Sequence, residues 1–183
     1  MVSTERNVFL LRARKGSKIN GVQQQEGRHD TFRCVSDAED PYNLTRFVDA
    51  QAANYAHAPT EMKSGKKRTH WMWYVFLQLD GLACSTTSQR YAIKSIEEAE
   101  ACLAHPLLGP RLHECVEAVL QIEGRSMTEV FGSPDDLKLR SCATLFACVS
   151  PPGSVFDRLL TQYYGGERDK NTLRLLRLAS DGR

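Results

Sequence analysis

Apolar positions recur three and four residues apart from residue 44 onward, and residues that start or stop helices bracket each run. Leu44, Phe47, Val48, Gln51 and Tyr55 share one helical face, with Asp40 and Pro41 ahead of them as cap and first-turn proline. A short helix opened by Pro59 closes at Gly65. Ser95 precedes Ile96-Glu97-Glu98, and Ser126-Met127-Thr128-Glu129 has capping-box spacing. Between them, Pro106 and Pro110 open an amphipathic run of Leu112, Cys115, Val116, Val119 and Leu120 that ends at Gly124. Ser133-Pro134-Asp135-Asp136 supplies an N-cap, a first-turn proline and two carboxylates that the helix dipole favours, for a helix reaching Cys148. Pro151-Pro152-Gly153 interrupts, Ser154 restarts, and Gly165-Gly166 ends a helix carrying Phe156, Leu159, Leu160, Tyr163 and Tyr164. A last short helix covers 170–178. The segment 70–79 is apolar nearly all round and reads as a buried helix or a buried strand. Helix is favoured, because no partner strand is evident elsewhere.

The pattern predicts an all-α fold, a single compact domain of about eight or nine short helices over 40–179. Residues 1–39 have no sustained periodicity and read as a disordered N-terminal extension. No period of 20–50 residues is visible, so a solenoid is not supported.

Composition narrows the function classes. The chain has 183 residues with 24 Lys+Arg against 22 Asp+Glu, a net charge of +2 that argues against a dedicated nucleic-acid binder. Its six cysteines show no CxxC and no paired metal spacing. Reduced thiols are expected, with Cys102, Cys115, Cys142 and Cys148 acting as small hydrophobes in helices. No apolar run approaches the roughly 20 residues that span a bilayer, so the expectation is a cytoplasmic protein without a membrane partner. Five Lys/Arg against a single acid in residues 1–18 leave nuclear or organellar targeting open.

Candidate chemistry concentrates in residues 65–93, which hold both tryptophans, a basic run, a histidine and an arginine-tyrosine pair. Trp71, Trp73 and Gln78 could stack on and hydrogen-bond a planar ligand, with His70 as an acid or base near neutral pH. Arg90 and Tyr91 offer anion recognition, whereas Lys66-Lys67-Arg68 reads as solvated surface charge. At the start of the 134–148 helix, Asp135, Asp136, Lys138 and Arg140 form a second cluster. There Asp136 could transfer a proton and, at a spacing of four, pair with Arg140. His105 and His113 are eight apart and His113-Glu114 lacks the second histidine of a zincin helix, so no metal site is expected. No phosphate-cradling glycine loop, nucleophile elbow or dinucleotide fingerprint is present, and no cofactor is expected.

Five blocks resemble the DUF1810 family in the same order. They are Arg46-Phe47-Val48-Asp49-Ala50-Gln51, Lys67-Arg68-Thr69-His70-Trp71-Met72-Trp73, Ser88-Gln89-Arg90-Tyr91-Ala92-Ile93, His105-Pro106-Leu107-Leu108-Gly109-Pro110-Arg111-Leu112, and Phe131-Gly132-Ser133-Pro134-Asp135-Asp136-Leu137-Lys138-Leu139-Arg140-Ser141. The resemblance covers about 43–177 and implies one mainly α-helical domain, with no established reaction. The family is sometimes labelled calpastatin-like and is grouped with a mycobacterial all-α protein of unknown function. Nothing in the sequence supports protease inhibition. Leu77 stands where the family pattern has proline, so the exit of the aromatic segment is expected to differ here.

Two functional classes follow. The first is a binding domain, with or without turnover, for an anionic planar small molecule of nucleotide-like type. The second is a protein-interaction module without catalysis.

Overall fold

The computed structural model describes residues 40–181, and the expected N-terminal extension lies outside them. Ten helices and two very short strands follow one another along the described residues. They are α1 Thr45–Asn54, α2 His57–Lys63, α3 Met72–Val75, β1 Gln78–Leu79, α4 Thr86–Arg90, β2 Ala92–Ile93, α5 Ile96–Ala104, α6 Leu108–Leu120, α7 Met127–Phe131, α8 Asp135–Cys148, α9 Val155–Tyr164 and α10 Lys170–Asp181.

Most helix ends are set by the residues that announce them. Asp40 accepts the backbone N–H groups of Leu44 and Thr45 at 2.6 and 2.9 Å just ahead of α1, but α1 starts at Thr45 with Leu44 in the cap position, so Pro41 lies before the helix and not in its first turn. The Ser95 and Ser154 hydroxyls accept from the third residue of α5 and α9, and Ser126 and Glu129 complete a reciprocal capping box on α7. Gly165 closes α9 in the left-handed conformation at φ +60°. Helix α8 departs from the expectation by one residue: Pro134 stands in the cap position and the Ser133 side chain makes no capping bond.

The aromatic segment divides between the two structures the sequence allowed. One helical turn, α3, ends at Phe76, where ψ of 84° leaves the helical region, and β1 follows. The helix therefore stops without the proline that Leu77 replaces. The partner missing from the sequence reading is β2, which pairs parallel to β1 with Gln78 opposite Ala92 and Leu79 opposite Ile93. Parallel strands need a crossover, and the intervening loop with α4, a helix also not foreseen, provides it.

The core lies between α6, α8 and α9, with α2 and α5 packed on α6 and β1 on α8. Phe47, Trp71, Phe76, Phe146 and Phe156 are fully buried in it. Trp71, Phe76 and Phe131 form a triangle with ring centroids 5.9 to 6.1 Å apart, the edge-to-face range for aromatic contacts. Helix α8 is buried nearly all round and fills the centre; removing a side chain such as Leu139 or Phe146 would cost roughly 2–5 kcal/mol. Gln51 is the polar exception on α1: it donates to the Tyr74 carbonyl at 2.6 Å and accepts from Arg111 at 3.2 Å, joining α1, α3 and α6.

Among the described residues no helix is long and apolar enough to cross a membrane.

Candidate functional site

The loop between α2 and α3 is shaped by one buried carboxylate. Gly65 reverses the chain at φ +69°, and Glu61 then gathers the returning backbone. It accepts the N–H groups of Arg68 and Thr69, the Thr69 hydroxyl at 2.7 Å and the Trp71 indole N–H at 2.9 Å. Burial pushes the Glu61 carboxyl up, but the bonds from Arg68, Thr69 and Trp71 outweigh it and hold the group down at about 2. Trp71 is thereby fixed wholly inside the core, where it has no face to offer a ligand. That corrects its assignment as a stacking residue; Trp73, two positions on and half-buried, is the tryptophan that faces the candidate site.

With the loop so held, Lys67 donates its backbone N–H to Val130 and extends its side chain to the start of α8. Its ammonium lies 2.6 Å from one oxygen of Asp135, and that of Lys138 lies 2.7 Å from the other. The Lys67 side chain is only 8% exposed, so the reading of this lysine as solvated surface charge is overturned. Burial raises the Asp135 carboxyl, and the two ammonium groups more than offset this, leaving it below the usual carboxylate range. Lys138 also stands 3.9 Å from the centroid of the Trp73 ring, a close cation–π contact.

Trp73 joins this cluster to a small cleft. Gln78, Asp80, Leu82, Ser88 and Tyr91 are among its lining residues, and its volume of about 10 Å³ holds one water rather than an aromatic ring. The buried Gln78 amide donates to the Phe76 carbonyl at 3.1 Å. The Tyr91 ring packs against Phe47 and Tyr74, with the exposed Arg90 guanidinium 5.4 Å from its centroid. Arg46 supports this wall from behind, donating to the carbonyls of Arg90 and Ala92 and pairing with the buried Glu98.

Of the residues expected from the sequence, Trp73, Gln78, Arg90, Tyr91, Asp135 and Lys138 are connected through these contacts. The other four are placed differently. His70 is exposed, with no hydrogen bond among the described residues. Asp136 has both oxygens engaged, accepting from the Thr128 hydroxyl at 2.6 Å and the Leu137 N–H at 2.8 Å, and so ties α7 to α8. Arg140 does not pair with Asp136; it binds Glu167 at 2.9 Å and lies against Tyr164. Trp71 is in the core, as above. Lys67, Glu61 and the Arg46–Glu98 pair escaped the sequence reading, because each acquires its role from a partner distant in the chain or from the turn at Gly65.

Among the described residues, Cys102, Cys115 and Cys142 are buried away from this site. Burial raises the thiols of Cys102 and Cys115 to about 12 and Cys142 well above its ordinary value. Cys148 departs from its expected place among apolar neighbours: it is exposed, with the Arg168 guanidinium 3.4 Å from its sulfur. Among the described residues no group of three or more His, Cys, Asp or Glu side chains is placed to hold a metal ion.

The model of the family DUF1810, described as a protein of unknown function, matches residues 41–176, which hold the loop, the aromatic turn and the start of α8. The chain belongs to that family. It is 54% identical to a protein of known structure, the conserved hypothetical protein Rv1873 from Mycobacterium tuberculosis. The two superpose with a TM-score of 0.74, and the match covers 75% of this chain and 99% of the mycobacterial one. No curated protein matches the chain.

Proposed function

We propose that the domain binds an anionic small molecule bearing a planar group, nucleotide-like in character, where Lys138, joined to Lys67 through Asp135, meets Trp73. The observation that carries this reading is two poorly exposed ammonium groups sharing one carboxylate, of which Lys138 lies against the half-buried Trp73 indole and Lys67 over the buried Trp71 ring. Such a cluster carries one surplus positive charge, and each ammonium has three donors of which Asp135 takes one. Excess donors next to an aromatic wall suit an anion attached to a ring. The neighbouring cleft is too small for that ring, so the ligand lies at the surface. Lys138 leaves the Trp73 face to follow the anion and frees the indole for stacking, while the exposed Arg90, lying against Tyr91, swings in as a further cation. The reading is one of binding; the placements of His70 and Asp136 supply no acid–base pair for a reaction.

A thermal-shift screen of the full chain against nucleotides, nucleosides and phosphorylated metabolites tests it. A ligand at 100-fold its dissociation constant raises the melting temperature by roughly 5–11 °C for a protein of this size. The shift should vanish in Lys138→Met and shrink in Trp73→Ala and Arg90→Ala. No shift across the panel, or an unchanged shift in Lys138→Met, would overturn the proposal and favour the protein-interaction module.

A further inference from the structure

Asp135 occupies the position that the proposed ligand's anion should take. Each of its oxygens is bound by one lysine, and no other acceptor for either ammonium is present among the described residues. We infer that Asp135 is an internal competitor for the anion site: it holds Lys67 and Lys138 together in the empty protein and must be displaced for a ligand to bind. This rests on the binding reading above, and it specifies the ligand class as a phosphomonoester.

The class follows from charge and from what happens to the displaced carboxylate. A carboxylate ligand brings one negative charge and two oxygens, no more than Asp135 already supplies. A phosphate monoester brings close to two charges and three strong acceptor oxygens, so it outcompetes a single aspartate for the same two ammonium groups. Asp135 is the first residue of α8, a helix of 14 residues, so when released it still lies where the helix dipole favours a negative charge. Its displacement therefore leaves no carboxylate in an unfavourable field. Lys67 and Lys138 project from separate elements, the loop before α3 and the first turn of α8, and a bridging anion keeps them joined once Asp135 has left.

The test is titration of the full chain with AMP and, as a planar monoanion, benzoate, followed calorimetrically for wild type, Asp135→Asn and Lys138→Met. Removing the competing charge should tighten AMP binding by roughly tenfold at low salt, the scale of one charge–charge contact in partly exposed surroundings. Wild type should prefer AMP to benzoate, and Asp135→Asn should widen that preference, because removing a negative charge favours a dianion more than a monoanion. If Asp135→Asn binds AMP as weakly as wild type or more weakly, while Lys138→Met loses binding, the competitor role is wrong and the site stands. If Lys138→Met binds AMP as wild type does, or wild type and a folded Asp135→Asn both fail to bind it, the site itself is wrong. Should Asp135→Asn not fold, the Asp135 carboxyl carbon resonance of wild type decides: it should move on saturation with AMP, and a stationary signal, or no saturation, overturns the inference.

Discussion

A carboxylate that receives four hydrogen bonds in a buried turn, as Glu61 does, links stability to pH. Its folded value of about 2 lies below the ordinary 4.5, so its contribution is fully present above about pH 4.5 and is lost as pH falls toward 2. The size of that contribution is on the order of 3 kcal/mol. Glu61→Gln should lower the urea midpoint at pH 7 and flatten the loss of stability between pH 5 and 3; a variant as acid-sensitive as wild type would contradict the assignment. None of this was legible in the sequence, where Glu61 is an ordinary helical glutamate. A buried indole N–H needs an acceptor, yet only the reversal at Gly65 brings Glu61 to that of Trp71. Lys67 was obscured in the same way, because the residue that buries it, Asp135, lies 68 positions further on. The candidate site was legible as residue types, while which of those residues meet depends on long-range partners.

Elements fared better than residues because their ends are local. Ser95, Ser126, Ser154 and Gly165 mark helix boundaries through bonds spanning a few positions, which a sequence displays directly. Strands β1 and β2 are two residues each and exist only because they pair, so no periodicity could announce them. A closer contact between elements was equally hidden. At Gly109 in α6, a Cβ atom would stand 2.0 Å from the Leu103 carbonyl oxygen of α5, a distance no side chain tolerates. The glycine therefore sets how tightly α5 lies on α6. Gly109→Ala must push the helices apart and should destabilise the domain by about 1–3 kcal/mol or more, against the roughly 1 kcal/mol that alanine gains inside an isolated helix. Chemical denaturation measures the sign, and a stabilised variant would show that the α5–α6 contact yields easily.

At the scale of the whole molecule, Arg46 joins α1 to the β2 strand and to α5, up to 52 positions away. From α1 it reaches the carbonyls of Tyr42, Asn43, Arg90 and Ala92 and pairs with Glu98 of α5, while lying 4.1 Å from the Phe47 ring centroid. Its side chain is 12% exposed and that of Glu98 3%, so the pair is screened from water. Replacing such a pair by apolar residues is often neutral, whereas removing one partner strands a buried charge at a cost of about 3–5 kcal/mol. Arg46→Met should therefore lower the melting temperature by roughly 6–20 °C, with part of the loss restored in Arg46→Met/Glu98→Leu. The double variant still lacks the bonds that hold the Arg90 and Ala92 carbonyls, and those carbonyls back the Tyr91 wall of the candidate site. Recovered stability with impaired ligand response in the double variant would place Arg46 as the link between fold and site. Recovery of both together would confine it to stability, with the ring contacts of Tyr91 with Phe47 and Tyr74 enough to hold that wall.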